Sequence, residues 1–178
     1  MRIILFTLIL LFASCNKTKL INFDKVFIKV PKNWNKVDLK SIDSSNGYIK
    51  IDEKDTLFYE VGYYTSSLTE ERSKRIVDIS IKENIDSTVD TSQIIFVSNY
   101  KNDLDYYYKQ NAVFEKKGVY LIKYVFPRFA GNGITGIYID SLSNTSLGNM
   151  KLTIRGNDLS KESQEIVMAL FHQLEIRD

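Results

Sequence analysis

Two residue types that often carry chemistry occur once each in this sequence, as Cys15 and His172. A single cysteine cannot form an internal disulfide or a Cys-based zinc site, and a single histidine cannot form a multi-His metal site. His172 falls on a predicted helix opposite its apolar stripe, so we expect its side chain to be exposed. No serine stands in a G-x-S-x-G nucleophile elbow. We therefore predict no metal site and no cofactor.

Two local patterns match the letters of ligand-binding motifs but lack their context. Gly131–Gly136 reads G-x-G-x-x-G, yet the β-rich stretch Ile137–Ile139 follows where a phosphate-binding helix would begin. Asn84–Asp90 has the alternating polar residues of a calcium loop, but Val89 stands at the glycine position and Ile95 at the glutamate position. We predict loops at both places rather than phosphate or calcium sites.

Carboxylates are numerous, and Asp103, Asp105 and Asp140 are examples that could pair in space. Nothing in the sequence sets two acids at the separation that glycoside hydrolysis requires. We therefore predict no catalytic residue and a protein that is not an enzyme. A carboxylate-dependent hydrolase acting on envelope glycans stays open as an alternative.

The N-terminus has the order of a secretory signal peptide. Arg2 supplies a positive charge, Ile3–Phe12 is almost entirely apolar, and Ala13–Ser14 supplies a small-residue exit. The apolar run is too short for a transmembrane helix, which needs ~20 residues. Cys15, directly after the small pair, resembles the cysteine of the lipobox of bacterial lipoproteins, although that family usually has leucine where Phe12 stands.

The lipobox resemblance implies cleavage between Ser14 and Cys15 and attachment of acyl chains, palmitate among them, to the cysteine. It predicts a signal peptide over residues 1–14, an acylated N-terminus and tether over 15–22, and a single domain over 23–178. The tether carries no acidic residue, which by resemblance favours a position in the outer membrane facing the periplasm. An ordinary secretory signal followed by a chance cysteine is the alternative.

The charge balance argues against a strongly charged partner. The chain has 24 Lys and Arg residues against 22 Asp and Glu residues. The chain therefore has no strong positive electrostatic field that would favour nucleic acid as its partner. The partners we expect are a membrane, reached through the acyl chains, and a protein of the cell envelope.

Aromatic residues suggest two contact surfaces. Tyr106 and Tyr108 lie on the same side of a predicted strand in the run Tyr-Tyr-Tyr. Packing within the sheet is the simpler interpretation of this run, and a contact surface for a partner is the other. Arg128 and Phe129, in a predicted loop, form a second candidate for partner contact.

Apolar alternation predicts a domain rich in β-sheet. Lys116–Gly118 is a hairpin turn, and Asn46–Gly47 is a second turn signal. The apolar period changes to that of a helix over Thr69–Asn84 and again over Leu159–Ile176, where Ser160 can act as N-cap. The predicted strands cover residues 26–30, 48–51, 56–64, 93–98, 106–115, 119–126, 134–142 and 150–155.

The stretch Phe27–Trp34, a strand that ends in Pro31 before an aromatic turn, resembles the opening of PsbP/DcrB-like domains. The strand-then-helix order over Met150–Leu174 is similar to theirs. The resemblance implies an α+β fold, with a mostly antiparallel sheet of about six to eight strands packed by two main helices in a PsbP-like α/β sandwich. The expected core is Phe27, Val30, Trp34, Ile51, Leu57, Ile76, Phe96, Leu121, Ile137, Leu152, Ile166 and Leu170.

Together these observations predict a lipid-anchored envelope protein that faces the periplasm and has a non-catalytic binding or accessory role. The PsbP-like resemblance supports this prediction, since it implies no shared catalytic residues. An immunity-type or chaperone-type protein that masks one protein partner is an alternative. The near-neutral charge does not favour that alternative, because such pairs commonly use complementary charged faces.

Overall fold

Alternating buried and exposed side chains place most of this chain in β-strands. The computed structural model describes residues 18–69, 75–91, 94–98 and 109–177. The strands of this part are β1 (Thr18–Phe23), β2 (Val26–Pro31), β3 (Asn35–Leu39), β4 (Ser45–Lys50), β5 (Thr56–Gly62), β6 (Arg75–Asp78), β7 (Ile94–Val97), β8 (Gln110–Lys117), β9 (Tyr120–Pro127), β10 (Ile134–Thr145), β11 (Gly148–Asn157) and β12 (Glu175–Ile176). A 3₁₀ helix spans Ile79–Asn84, and the α-helix α1 spans Lys161–His172.

Two antiparallel sheets and α1 form the layers of the domain. The larger sheet has seven strands in the order β3-β4-β5-β11-β10-β9-β8, and the smaller has the order β1-β2-β12. The parallel pair β6-β7 is a separate element. The chain passes from the small sheet to the large one through the turn Pro31–Trp34, in which the Trp34 N–H donates to the Pro31 carbonyl at 3.1 Å.

The core lies between the seven-stranded sheet on one side and the three-stranded sheet with α1 on the other. Leu57, Tyr59 and Val61 of β5 are buried in it, whereas Phe58 on the opposite face is half-exposed. This period of two is the one that the sequence predicted for β5. Other buried contributors to the core are Ile154 of the same sheet, Val26 of the small sheet, and Val167 and Phe171 of α1.

The N-terminus of α1 is fixed to the start of β5. Ser160 caps the helix, because its hydroxyl accepts from the Ser163 N–H at 3.3 Å. The same hydroxyl donates to the buried carboxylate of Asp55 at 2.6 Å. The predicted cap is confirmed, but the helix ends at His172, and Glu175–Ile176 pairs with β2 instead of continuing it.

The predicted α+β fold with two main helices is wrong. Within the predicted helix Thr69–Asn84, Arg75–Asp78 is a strand that pairs in parallel with β7, and only a short 3₁₀ helix follows it. Residues 70–74 lie outside the described part of the chain. Ile76 and Val77 are β-branched and favour the strand, and their pairing partner is distant in sequence. The described fold is mostly antiparallel β-sheet with one α-helix, so it is not a PsbP-like sandwich.

Two further boundaries differ from the sequence predictions. Residues 18–22, predicted as tether, belong to β1 and pair with β2. Asn46–Gly47, predicted as a turn, lies inside β4. The hairpin at Lys116–Gly118 is confirmed, and Gly118 has the positive φ of 62° that its turn requires.

Half of the predicted core is confirmed, since six of its twelve residues are buried. Leu121 and Ile166 are exceptions, with exposed fractions of 56% and 39%, since both lie on outward faces of their elements. Phe27, Phe96 and Leu170 are half-buried, and the side chain of Ile76 is not described. The predicted core residues that are buried are Val30, Trp34, Ile51, Leu57, Ile137 and Leu152.

Gly47 is required inside β4 for a steric reason. It stands between Asp38 of β3 and Tyr59 of β5 in the strand register. A Cβ atom at Gly47 would lie 2.6 Å from the Tyr59 hydroxyl and closer still to the Val37 carbonyl oxygen. The missing side chain therefore lets the phenol of Tyr59 cross β4 and reach the edge strand β3.

We predict that Gly47→Ala lowers the free energy of unfolding by about 1–3 kcal/mol, because the added methyl forces the strands apart. Urea unfolding followed by the fluorescence of Trp34 measures the change. Ser45→Ala, in the same strand but exposed, is the control and should change stability little. Equal stability of Gly47→Ala and the unsubstituted protein would contradict the steric explanation.

Candidate functional site

The outer face of the seven-stranded sheet is partly covered by residues 64–69, which follow β5. Leu68 of this segment is buried against Val125 and Ile134 in a small second core. Two side chains of the sheet hold its backbone: the Thr153 hydroxyl donates to the Ser66 carbonyl at 2.5 Å, and the Lys123 ammonium donates to the Leu68 carbonyl at 2.9 Å. The segment therefore forms a fixed wall on the sheet.

A groove of about 310 Å³ lies beside this wall, over strands β3, β4, β5 and β11. Its apolar part is Phe58 and Leu39, which are 50% and 52% exposed. Its polar part comprises Glu60, Ser66, Thr153 and Arg155. We call this set of six residues the outer groove.

Glu60 and Arg155 give the outer groove one negative and one positive charge. In the strand register, Arg155 lies opposite Phe58, and Glu60 lies opposite Thr153. Both charged residues are partly buried. Neither has a hydrogen-bond or ion-pair partner among the residues that the structure describes. Two partly desolvated charges beside an exposed aromatic ring can bind a ligand that carries both charged and apolar groups.

Tyr59, Asp38 and Lys36 form a hydrogen-bonded cluster on the core side of the groove. The Tyr59 hydroxyl donates to Asp38, and the Lys36 ammonium contacts the same carboxylate at 2.5 Å. Lys36 also lies 4.7 Å from the centroid of the Tyr59 ring, which meets the Phe23 ring edge-on at 5.0 Å. The cluster fixes the edge strand β3, and with it Leu39, to the centre of the sheet.

The cluster shifts the pKa of both acidic groups. The hydrogen bond from Lys36, followed by that from Tyr59, holds the pKa of Asp38 below its ordinary value. Burial, together with the neighbouring Asp38 charge, raises the pKa of Tyr59 well above its ordinary value. At neutral pH Tyr59 is therefore a fixed hydrogen-bond donor rather than a group that exchanges protons.

His172 lies far from the outer groove, on the core side of the sheet. Its ring stacks on Tyr124 with 4.4 Å between centroids, and its Nδ1 atom lies 3.3 Å from Glu115. The side chain is 51% exposed, as the sequence predicted. Lys117 donates to the Leu174 carbonyl just past the helix, at 2.5 Å. These contacts fasten the end of α1 to the hairpin β8-β9.

Of the predicted contact residues, the two that the structure describes do not line the outer groove. Arg128 and Phe129 are exposed in the loop after β9, and Phe129 is 74% exposed. Cys15, Tyr106 and Tyr108 lie outside the described residues, so their predicted roles stay predictions.

The motifs that the sequence set aside are explained by local structure. In the glycine-rich stretch 131–136, the Gly133 N–H donates to the Asp158 carboxylate at 2.7 Å, and β10 follows the loop. Asp140 is exposed and bound by Tyr138 and Lys151. Asp103 and Asp105 lie outside the described residues. In the part of the chain that the structure covers, no group of three or more metal-ligating side chains is found.

Sequence reasoning missed the outer groove. The alternation in the predicted strand over residues 56–64 puts Phe58 and Glu60 on the same face, but it carries no sign that Arg155 lies beside them. That arrangement depends on the pairing of β5 with β11, about a hundred residues apart in the chain. The wall at Ser66 depends on the same pairing, through its contact with Thr153.

The comparisons with known proteins identify no relative: no protein-family model, characterised protein or solved structure matches this chain. Among the described helices, none is long and apolar enough to cross a membrane.

We predict that Tyr59→Phe makes stability less sensitive to alkaline pH. Because folding raises the pKa of Tyr59, its contribution is fully present below the unfolded pKa of about 10 and is lost as the pH rises through the folded value. Urea unfolding at about pH 9 and about pH 11 measures this loss.

The unsubstituted protein should lose more free energy of unfolding between the two pH values than Tyr59→Phe does. Other tyrosines, Tyr124 and Tyr138 among them, titrate in both proteins, so the difference isolates Tyr59. Tyr64→Phe, at a residue that is 94% exposed, is the control and should behave as the unsubstituted protein. An identical pH dependence for Tyr59→Phe would contradict the account of the cluster.

Proposed function

We propose that this chain is a lipid-anchored binding protein of the bacterial cell envelope, facing the periplasm from the outer membrane. The charged, apolar and small residues up to Ser14 support the export signal, and Cys15 supports the acylation. The mechanism is tethering, because acyl chains confine the domain to a membrane and raise its local concentration for a neighbouring molecule. The role is non-catalytic.

The outer groove is the proposed binding site. The observation that carries this proposal is the pair of partly buried, unpaired charges, Glu60 and Arg155, beside the half-exposed ring of Phe58. Arg155 suits a carboxylate, which a guanidinium binds through two parallel hydrogen bonds, and Glu60 suits an ammonium or guanidinium group. Phe58 and Leu39 suit an apolar side chain.

The proposed ligand is an extended segment of a protein partner in the envelope. Such a segment can present an acidic, an apolar and a basic side chain within a few residues, which matches the mixed lining of the outer groove. The groove is open and shallow, and it lies over four neighbouring strands. It therefore favours a segment laid across its surface over a small molecule enclosed in a cavity.

We predict that Cys15→Ala abolishes acylation and releases the protein from the membrane. Cys15→Ala carries an ordinary cleavable secretory signal in place of residues 1–14, so that its export and cleavage do not depend on acylation. The unsubstituted protein and the control variant keep the native residues 1–14. Metabolic labelling with an alkyne analogue of palmitate and membrane fractionation measure the two effects.

Asn16→Ala is the matched control and should keep both the label and the membrane fraction. Cys15→Ala behind the ordinary signal should lose both, because no acyl acceptor remains. Acylation or membrane retention of that variant would contradict the anchor.

We predict that a photo-crosslinking amino acid at Leu39 captures one discrete protein partner in cells. The matched control position is Leu121, which is exposed to nearly the same extent, 56% against 52%, but lies outside the outer groove. Adding Arg155→Glu should weaken capture on the order of tenfold, because it removes the charge pair between Arg155 and an acidic group of the partner. Such a pair contributes at least about 1.4 kcal/mol to binding, which corresponds to a tenfold change in affinity.

Lys116→Glu, an exposed charge reversal elsewhere on the sheet, is the control for Arg155→Glu. Capture of the same proteins from Leu39 and from Leu121 would contradict the groove as the binding site. A yield of crosslinked partner that Arg155→Glu does not lower would contradict it as well. A single captured toxin would indicate the immunity-type role instead of a general accessory role.

A further inference from the structure

We infer that the domain stands on the membrane with one end of its strands against the lipid surface. We call this the tether end and define it by Thr18, the turn at Lys32 and Asn33, and the loop residues Ala130 and Phe129. The inference rests on the anchor proposed above and goes beyond it, because it assigns the surface of the domain that contacts the bilayer.

The chain between the proposed anchor and the first described strand is short. The sequence predicted a tether that ended at residue 22, but β1 begins at Thr18. Only Asn16 and Lys17 therefore separate Cys15 from the first paired residue. Three residue steps span at most about 11 Å even when fully extended. An acylated Cys15 holds Thr18 within that distance of the lipid headgroups.

The strand register shows which parts of the domain lie at the same end as Thr18. Thr18 pairs with Pro31 at the end of β2, and the turn after Pro31 leads into β3. Asn35 at the start of β3 pairs with Lys50, and Lys50 pairs with Thr56. The starts of β1, β3 and β5 therefore share one end of the domain with the turn at Lys32.

The same register continues across the large sheet to the loop after β9. Arg155 near the end of β11 pairs with Phe58, and Asn157 pairs with Ile134 at the start of β10. Pro127 at the end of β9 pairs with Gln110 at the start of β8. The loop from 128 to 133 therefore also belongs to the tether end.

The side chains of the loop from 128 to 133 suit contact with a lipid surface. Phe129 is 74% exposed, and the neighbouring Arg128 is exposed as well. An exposed aromatic side chain beside a cation suits the boundary between headgroups and acyl chains. Lys32 and Lys54 are exposed at the same end.

Acidic residues at the tether end limit the role of charge. Asp52 and Glu53, in the turn between β4 and β5, are exposed near these lysines. The tether end is thus of mixed charge, so the contact depends on the short tether and on Phe129 rather than on anionic lipid. Neutral phosphatidylcholine vesicles are therefore an adequate probe.

This orientation leaves the outer groove accessible. The groove lies on the outer face of the large sheet, and its residue Leu39 is at the end of β3 that is opposite the tether end. The small sheet that carries Thr18 lies on the other side of the core. The turn between β10 and β11, at the opposite end, lies roughly 30 Å from the tether end, since β11 has ten residues.

The test measures how close three exposed positions lie to lipid. Acylated protein is placed in phosphatidylcholine vesicles that carry lipid-attached nitroxide quenchers. Single fluorescent labels are attached through Asn33→Cys, Ala130→Cys or Ser146→Cys, and the acylated Cys15 does not react with the label. Ser146 is exposed in the distant turn between β10 and β11.

We expect quenching at positions 33 and 130 to exceed quenching at position 146 on the order of twofold or more, given the separation of the two ends. Equal quenching at all three positions, or the strongest quenching at 146, would overturn the orientation. Adding Phe129→Ser should reduce quenching at 130 but not at 33. Val119→Ser, at an 83% exposed residue of the β8-β9 turn, should change neither.

Flotation of the same vesicles separates failure of the anchor from failure of the orientation. Protein that floats but shows equal quenching retains the anchor and refutes the orientation. Protein that does not float refutes the anchor and the orientation together. Unchanged quenching at position 130 in the Phe129→Ser variant would show that Phe129 does not contact the membrane.

Discussion

The seven-stranded sheet has one strongly apolar face, and the rest of the structure depends on covering it. That face is covered by the small sheet β1-β2-β12 and by α1, which together bury Val26, Leu152 and Val167 completely. Removing apolar surface from water at about 25 cal/mol per Å² is the main favourable contribution to such a domain. The covering layer comes from both ends of the chain, since β12 returns after α1 to pair with β2.

This constraint decides where binding chemistry can lie. One face of the large sheet is committed to the core, so charged side chains occupy the other face, where residues 64–69 cover only part of it. Glu60 and Arg155 meet Phe58 in the uncovered part. The hydrogen-bonded pair of Tyr59 and Asp38 then fixes the edge strand, and Gly47 makes the space that this contact needs.

The sequence predicted features that depend on neighbouring residues. The alternation of β5, the hairpin at Gly118 and the cap at Ser160 all follow from local chemistry, and all are confirmed. The helix predicted over Thr69–Asn84 failed because a parallel pairing with a distant strand outweighs a local helical period. The prediction of a turn at Gly47 was wrong for a similar reason. Gly47 makes room for the contact between Tyr59 of β5 and Asp38 of β3, and these strands are brought to either side of β4 only in the folded sheet.

The candidate site could not be predicted for the same physical reason. Arg155 and Glu60 lie on strands that are adjacent only in the folded sheet, so no local motif contains both. The start of β1 was also missed, because residues 18–22 were interpreted as part of the tether and only the pairing of Thr18–Phe23 with β2 shows the strand. This correction matters most for function, since it shortens the link between the anchor and the domain.

The proposed function joins three elements: the proposed acyl anchor at Cys15, a short link from it to Thr18, and the outer groove of the large sheet. The anchor is the central claim, because the orientation and the tethering mechanism depend on it. Mass spectrometry of the protein purified from membranes tests it most directly. The account predicts a mature chain that begins at Cys15 and carries acyl chains on that residue. A chain in which Cys15 is unmodified and still joined to Ser14 would contradict it. A mature chain that begins after Cys15 would contradict it as well.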